Sequence, residues 1–178
     1  MKKILSICAA LVFAVSVYAQ EGIFRPRLEI TEIEINDGEE ELEVFKMEND
    51  GHYDYFLSVG HLGIGDRVVQ VYFDPIFELF IPLGSSLTEA IETLQQLKDF
   101  AKQPKNSTME VQGCLAAAVP TDARETVTIT ARRVFFAKKL MFSVEREGYT
   151  RATYVSRMNM GSLVNGTKLY KAIHPKEL

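Results

Sequence analysis

Apolar and polar residues alternate along "RLEITEIEI", with Leu28, Ile30 and then Ile33 or Ile35 set against Glu29, Glu32 and Glu34. A period of two marks a half-buried strand, and the phase slip near Thr31-Glu32 marks a bulge. Asn36-Asp37-Gly38 closes the run as a turn. "ELEVFKME" resumes the strand pattern, with Leu42, Val44 and Phe45 or Met47 facing inward. A second turn, Asn49-Asp50-Gly51, leads into "HYDYFLSVG".

The next segment, "VGHLGIGD", has the look of a phosphate-binding loop, with Gly60, Gly63 and Gly65 around His61. Such a loop needs a helix after it, because the helix N-terminus supplies the amide donors. Here "RVVQVYFD" follows, rich in β-branched and aromatic residues, and reads as a strand. The glycines are therefore expected to serve a hairpin between two strands. Asp74-Pro75 ends the second of these. "IFELFIPLG" is apolar but holds Pro82, which cannot donate to a ladder. It is expected as an edge strand or a docked loop.

The period then changes. Leu87, Ala90, Ile91, Leu94, Leu97 and Ala101 share one helical face, Ser86 with Glu89 forms a capping box, and Pro104 lies past the end. These signals predict one amphipathic helix over about 87–102, its stripe laid on a sheet rather than on a partner. Strand character returns in "TMEVQGCLAAAV" and "ETVTITARRVFF", and Ala137-Lys138-Lys139 is expected to bend the chain. "LMFSVERE", Gly148, "TRATYVSRM" and an Asn165-Gly166 turn before "TKLYKAI" continue as a meander of hairpins, with "HPKEL" frayed. The expected fold is α+β: a curved antiparallel sheet of about seven to ten strands with a single helix packed on it.

The first residues differ from the rest. Lys2 and Lys3 precede an apolar run from Ile4 to Val17, and Val17-Tyr18-Ala19 places permissive residues at −3 and −1. The pattern is that of a signal peptide, residues 1–19, with cleavage between Ala19 and Gln20. The run is too short for a membrane anchor. Cys8 lies too early for lipid attachment, and Ile7 before it is too bulky. Residues 20–178 then form one expected domain. No later stretch is long and apolar enough to cross a membrane as a helix. Loss of Cys8 leaves Cys114 alone, so no internal disulfide is expected. Export without disulfides behind a short basic leader reads as bacterial. The sequons at Asn106 and Asn165 are then incidental.

Charge is uneven. The formal net charge of −4 becomes −6 without Lys2 and Lys3. Residues 21–50 hold eleven acids and three bases, whereas residues 121–178 hold eleven bases and five acids. Scattered through strands, these bases read as a solvated face. A basic surface for an anionic glycan or lipid is the sharper alternative. Nucleic acid is not expected as a partner of an exported acidic chain.

Chemistry is sparse. None of the histidines, His52, His61 and His174, sits in a nucleophile context, and G-x-S-x-G is absent. Cys114 lies in an apolar strand, where a thiol is inert. His52 and Asp54 share a strand face, and a hairpin through Leu62–Gly65 would bring Asp74 near both as a third metal ligand. The plainer reading is a solvated histidine and two loop aspartates. No cofactor is implied. The expected function is a non-enzymatic binding or interaction module of the periplasm, cell surface or extracellular space, its partner an envelope protein, a glycan or a hydrophobic ligand. A second reading is a carrier with a cavity between sheet and helix, motivated by "VYFDPIFELFIPL". A metal-dependent or carboxylate-based hydrolase is third.

Overall fold

The structure is a computed structural model. It describes residues 27–29, 35–36, 41–49, 52–60, 63–64, 78–116, 120, 124–146 and 148–175. Seven long strands carry the sheet: β3 (Glu41–Asn49), β4 (His52–Val59), β6 (Glu78–Gly84), β7 (Thr108–Ala116), β8 (Glu125–Val134), β9 (Ala137–Arg146) and β10 (Tyr149–Ser156). Three short ones, β1 (Arg27–Glu29), β2 (Ile35–Asn36) and β5 (Gly63–Ile64), lie at its margins. The order is β1-β3-β4-β6-β7-β8-β9-β10-β5, with β2 also on β3, and every ladder is antiparallel. β1 and β2 meet β3 in registers that differ by three residues; Thr31 and Glu32, where a bulge is expected, lie outside the described residues.

Among the described residues two helices, not one, complete the α+β fold: α1 (Leu87–Phe100) and α2 (Arg157–Ile173). α1 begins where its cap requires. Ser86 Oγ accepts from Glu89 N at 3.2 Å. The Glu89 carboxylate takes Ser85 N at 2.7 Å rather than that of Ser86. Leu87, Ala90, Leu94 and Leu97 are buried. The expected meander holds through the β9–β10 hairpin, but α2 replaces the Asn165-Gly166 turn and the strand expected after it. Ser156 Oγ caps it by accepting from Asn159 N at 3.1 Å. Met160, Leu163, Val164 and Thr167 form its buried stripe. Gly166 in a helix costs about 1 kcal/mol against alanine, but burial of this stripe outweighs it. Gly161 sits against α1: a Cβ there would come within 3.3 Å of Lys98 Cε. Asn165-Gly166, expected as a turn, thus lies inside a helix, and Gly161 allows the contact between the two helices.

The sheet is curled. β5 pairs with the far edge of β10, Gly63 opposite Ala152 and Ile64 opposite Arg151. Yet Gly63 follows Val59, the end of β4, by only four residue steps. Four steps reach at most about 14 Å. In a flat sheet the five spacings from β4 to β10 span about 24 Å. The two ends must therefore approach each other. α2 touches β2 and β3 near one end and β9 and β10 near the other. β7 makes the bend: Cys114–Ala116 pair with β6, and Thr108–Gly113 pair with β8. Gly113 at the switch admits no side chain, since a Cβ would meet Val127 Cγ2 at 2.6 Å and the Phe80 carbonyl oxygen at 3.1 Å.

This topology corrects two further expectations. β4 pairs with β3 along its length and with β6 from Tyr55 to Val59. The glycine segment therefore leads across to β10 and does not close a hairpin on β4. "RVVQVYFD" lies outside the described residues. β6, expected at an edge, is central, between β4 and β7. Pro82 is tolerated because the β4 register shifts between Tyr55 and Phe56, and because β7 pairs only as far as Phe80.

The concave face holds the main core, where Leu42, Leu57, Ile81, Leu94, Phe142 and Leu163 meet. Lys46 also faces this side and is only 9 % exposed. Its ammonium lies 3.5 Å from the Tyr170 hydroxyl and 4.8 Å from the Tyr53 ring centroid. A second cluster, with Phe45, Met47, Phe56, Phe80 and Cys114, lies on the opposite face of β3, β4, β6 and β7. Phe45 and Met47 thus point away from Leu42 and Val44 and are buried all the same. No helix among the described residues is long and apolar enough to cross a membrane.

Candidate binding surface

β8 and β9 pair continuously from Val127↔Val144 to Val134↔Ala137, so Phe135 and Phe136 alone form the turn. The bend expected at Ala137-Lys138-Lys139 is displaced to these two residues, and the lysines stand in β9. The neighbouring ladders stop earlier. β7 leaves β8 at Thr130, and β10 leaves β9 at Lys139. Ala131 is the last buried residue of β8 and Leu140 the first of β9. Beyond the Arg132–Lys139 row the hairpin continues as a two-stranded arm, its turn about 10 Å from that row at the ordinary rise of a strand.

Three features of this arm oppose what stability alone would select. Phe135 and Phe136 are 96 % and 103 % exposed, and Val134 beside them is 40 % exposed. Phe135 has φ +53°, the left-handed region that bulky side chains avoid and glycine or asparagine occupies. Arg132 stands directly opposite Lys139, and Arg133 opposite Lys138. Like charges in such cross-strand pairs repel. No acidic residue occurs between Glu125 and Glu145. At the root Arg132 donates from Nη1 to Asn106 Oδ1 at 2.8 Å and from Nη2 to Met141 Sδ at 3.8 Å. Asn106 is itself held at φ +71° in the turn before β7.

Behind the arm, the convex face of β8 and β9 is polar. Thr126, Thr128, Thr130, Met141 and Ser143 line an open depression of about 560 Å³, with Glu125 and Glu145 at its far end. Ser143 Oγ donates to the Thr128 carbonyl at 3.1 Å, and Glu145 accepts from Thr150 Oγ1. These hydroxyls belong to the period-two pattern of "ETVTIT" and need no ligand to explain them.

The residues singled out in sequence fare differently. His52 is exposed and Asp54 half-buried on β4, opposite Asn49 and Met47 of β3. Asp74 and His61 lie outside the described residues, as do Cys8, Ala19 and Gln20. Tyr53 faces Glu48 of β3, and Asp74, expected across from Tyr53, is not among the described residues. Among the described residues no three histidine, cysteine, aspartate or glutamate side chains gather as metal ligands. His174 finishes α2: its ring stacks on Tyr170 at 4.1 Å, with Nδ1 3.1 Å from the Tyr170 carbonyl. Cys114 is a buried free thiol in the second cluster. Asn165 lies within α2.

Sequence reasoning passed over the arm although its signal is present. "RRVFFAKK" sets two basic pairs around an apolar centre. It contains no glycine, proline or asparagine, so nothing announced a turn between the phenylalanines. No family model matches the chain, and neither the curated proteins nor the solved structures contain a match to it.

Proposed function

We propose that this chain is an exported, non-enzymatic binding module of a bacterial cell envelope, and that it binds through the β8–β9 arm. One observation carries the reading: two adjacent phenylalanines stand fully exposed on a projecting turn, one of them in a backbone conformation that disfavours it. Adjacent aromatic rings on a protrusion form an apolar patch, and such patches mark interaction sites. Backbone strain is tolerated where function requires it. Support for export comes from the leader pattern of residues 1–19. The carrier reading has less support. Leu87, Ala90, Leu94, Leu97, Leu163 and Val164 fill the helix–sheet interface with at most 1 % exposure each. The hydrolase reading lacks a third ligand for His52 and Asp54 among the described residues.

Fractionation of producing cells tests the proposal. The mature chain should begin at Gln20 and be recovered with the envelope. The variant Phe135→Ser/Phe136→Ser should pass into the soluble exported fraction with an unchanged unfolding midpoint. A variant that fractionates like the wild type would remove the arm from the account. A product retaining Met1 would remove export.

A further inference from the structure

We infer that the partner of the arm is an anionic bilayer surface: Phe135 and Phe136 enter the boundary between headgroups and acyl chains, and Arg132, Arg133, Lys138 and Lys139 engage the lipid phosphates. This rests on the arm being the binding surface and names what it binds.

The arrangement of the cations is the main argument. Side chains of successive residues in a strand point to opposite faces. The Arg132–Lys139 and Arg133–Lys138 pairs therefore put positive charge on both faces of the arm, at neighbouring heights. That is a collar around the tip. A protein groove would be met by one face, and charge on the other would be wasted. A plane penetrated by the tip meets both faces at once.

The dimensions agree. Two strand rises separate the Arg133–Lys138 row from the turn, about 7 Å. Interfacial segments bury their apolar part about 5–10 Å below the headgroups. With the collar at phosphate level, the turn and Val134 would therefore lie at the acyl boundary. The arm also combines the two kinds of signal that together give stable attachment, an apolar insert and a basic patch.

Charge complementarity fixes both lipid type and orientation. The chain without its leader carries −6 and would be repelled by an anionic surface if presented at random. The span between Glu125 and Glu145 has four cations and no acid. Attachment should therefore occur arm first and weaken with salt. The repulsion between Arg133 and Lys138, both exposed, would be relieved when a phosphate lies between them.

The chain contains no tryptophan, so Phe136→Trp installs a single reporter. Vesicles of phosphatidylglycerol with phosphatidylethanolamine should shift its emission to the blue, and lipids brominated near the headgroup should quench it. Pure phosphatidylcholine vesicles should leave it unchanged. Sedimentation of the wild type with the anionic vesicles should exceed that with phosphatidylcholine by at least about tenfold, since each basic residue near the surface contributes about 1 kcal/mol, or about fivefold. Raised salt should abolish the difference. Arg133→Glu/Lys138→Glu and Phe135→Ser/Phe136→Ser should each lose it. An unshifted emission with anionic vesicles overturns the lipid assignment. If the serine variant nevertheless leaves the envelope fraction, the arm remains the binding surface and its partner is a protein or glycan. If neither effect is seen, both readings fail.

Discussion

Phe80→Ala should destabilise the protein by about 3–5 kcal/mol. Phe80 lies in the middle of β6, opposite Ser58 of β4 and Cys114 of β7, and is fully buried. Its ring meets Phe45 edge-on, with centroids 5.6 Å apart and planes at 88°. Phe45 in turn stacks on Phe56 at 5.6 Å and 19°. Truncation removes the transfer energy of the ring, leaves a cavity between two strands that cannot close on it, and forfeits an aromatic contact worth about 0.5–1.5 kcal/mol. The site is on the face away from the helices, so the loss measures the second core. Urea unfolding reads it directly. A loss below about 1 kcal/mol is what an edge strand or docked loop would give, and would contradict the central placement of β6.

Leu94→Ala should cost about 2–5 kcal/mol. Leu94 is buried on the inner side of α1 with Leu87, Ala90 and Leu97, in the cluster shared with Ile81, Leu163 and Val164. α1 packs on β6 and on α2, so the residues around Leu94 are held by two other elements. Little relaxation can offset the lost methyl groups. The urea midpoint should fall with unchanged slope. A midpoint within error of the wild type would mean that the stripe serves a partner instead of the domain's own sheet.

What could be read in the sequence follows from the range of the interactions involved. β8 was legible because a strand's two faces are written at every second residue, as Val127, Ile129 and Ala131 are against the threonines, whereas β4 and β7 end in runs buried on both faces. α1 was legible because period, cap and the following proline agree. α2 was not. Asn165-Gly166 is a local turn signal, whereas the contact of Gly161 with Lys98 is tertiary. Pro82 misplaced β6 for a related reason: the register shift in β4 that accommodates it belongs to another strand. The curl depends on Gly63–Ile64 joining β10, a pairing between segments about ninety residues apart along the chain. The candidate site was hidden by chemistry rather than distance. A turn made of two phenylalanines breaks the usual rule, and local sequence logic tends to fail at functional positions.

If Phe135 and Phe136 serve binding and not folding, paired unfolding and vesicle sedimentation of Phe135→Gly/Phe136→Asn should separate the two roles. Glycine suits the positive φ at the first turn position, and a Gly-Asn pair is an ordinary two-residue hairpin connection. The account predicts an unfolding free energy equal to the wild type or higher by up to about 1 kcal/mol, together with loss of binding to anionic vesicles. A variant that is destabilised by more than about 1 kcal/mol yet still binds would show that the phenylalanines hold the hairpin together, and would contradict the account.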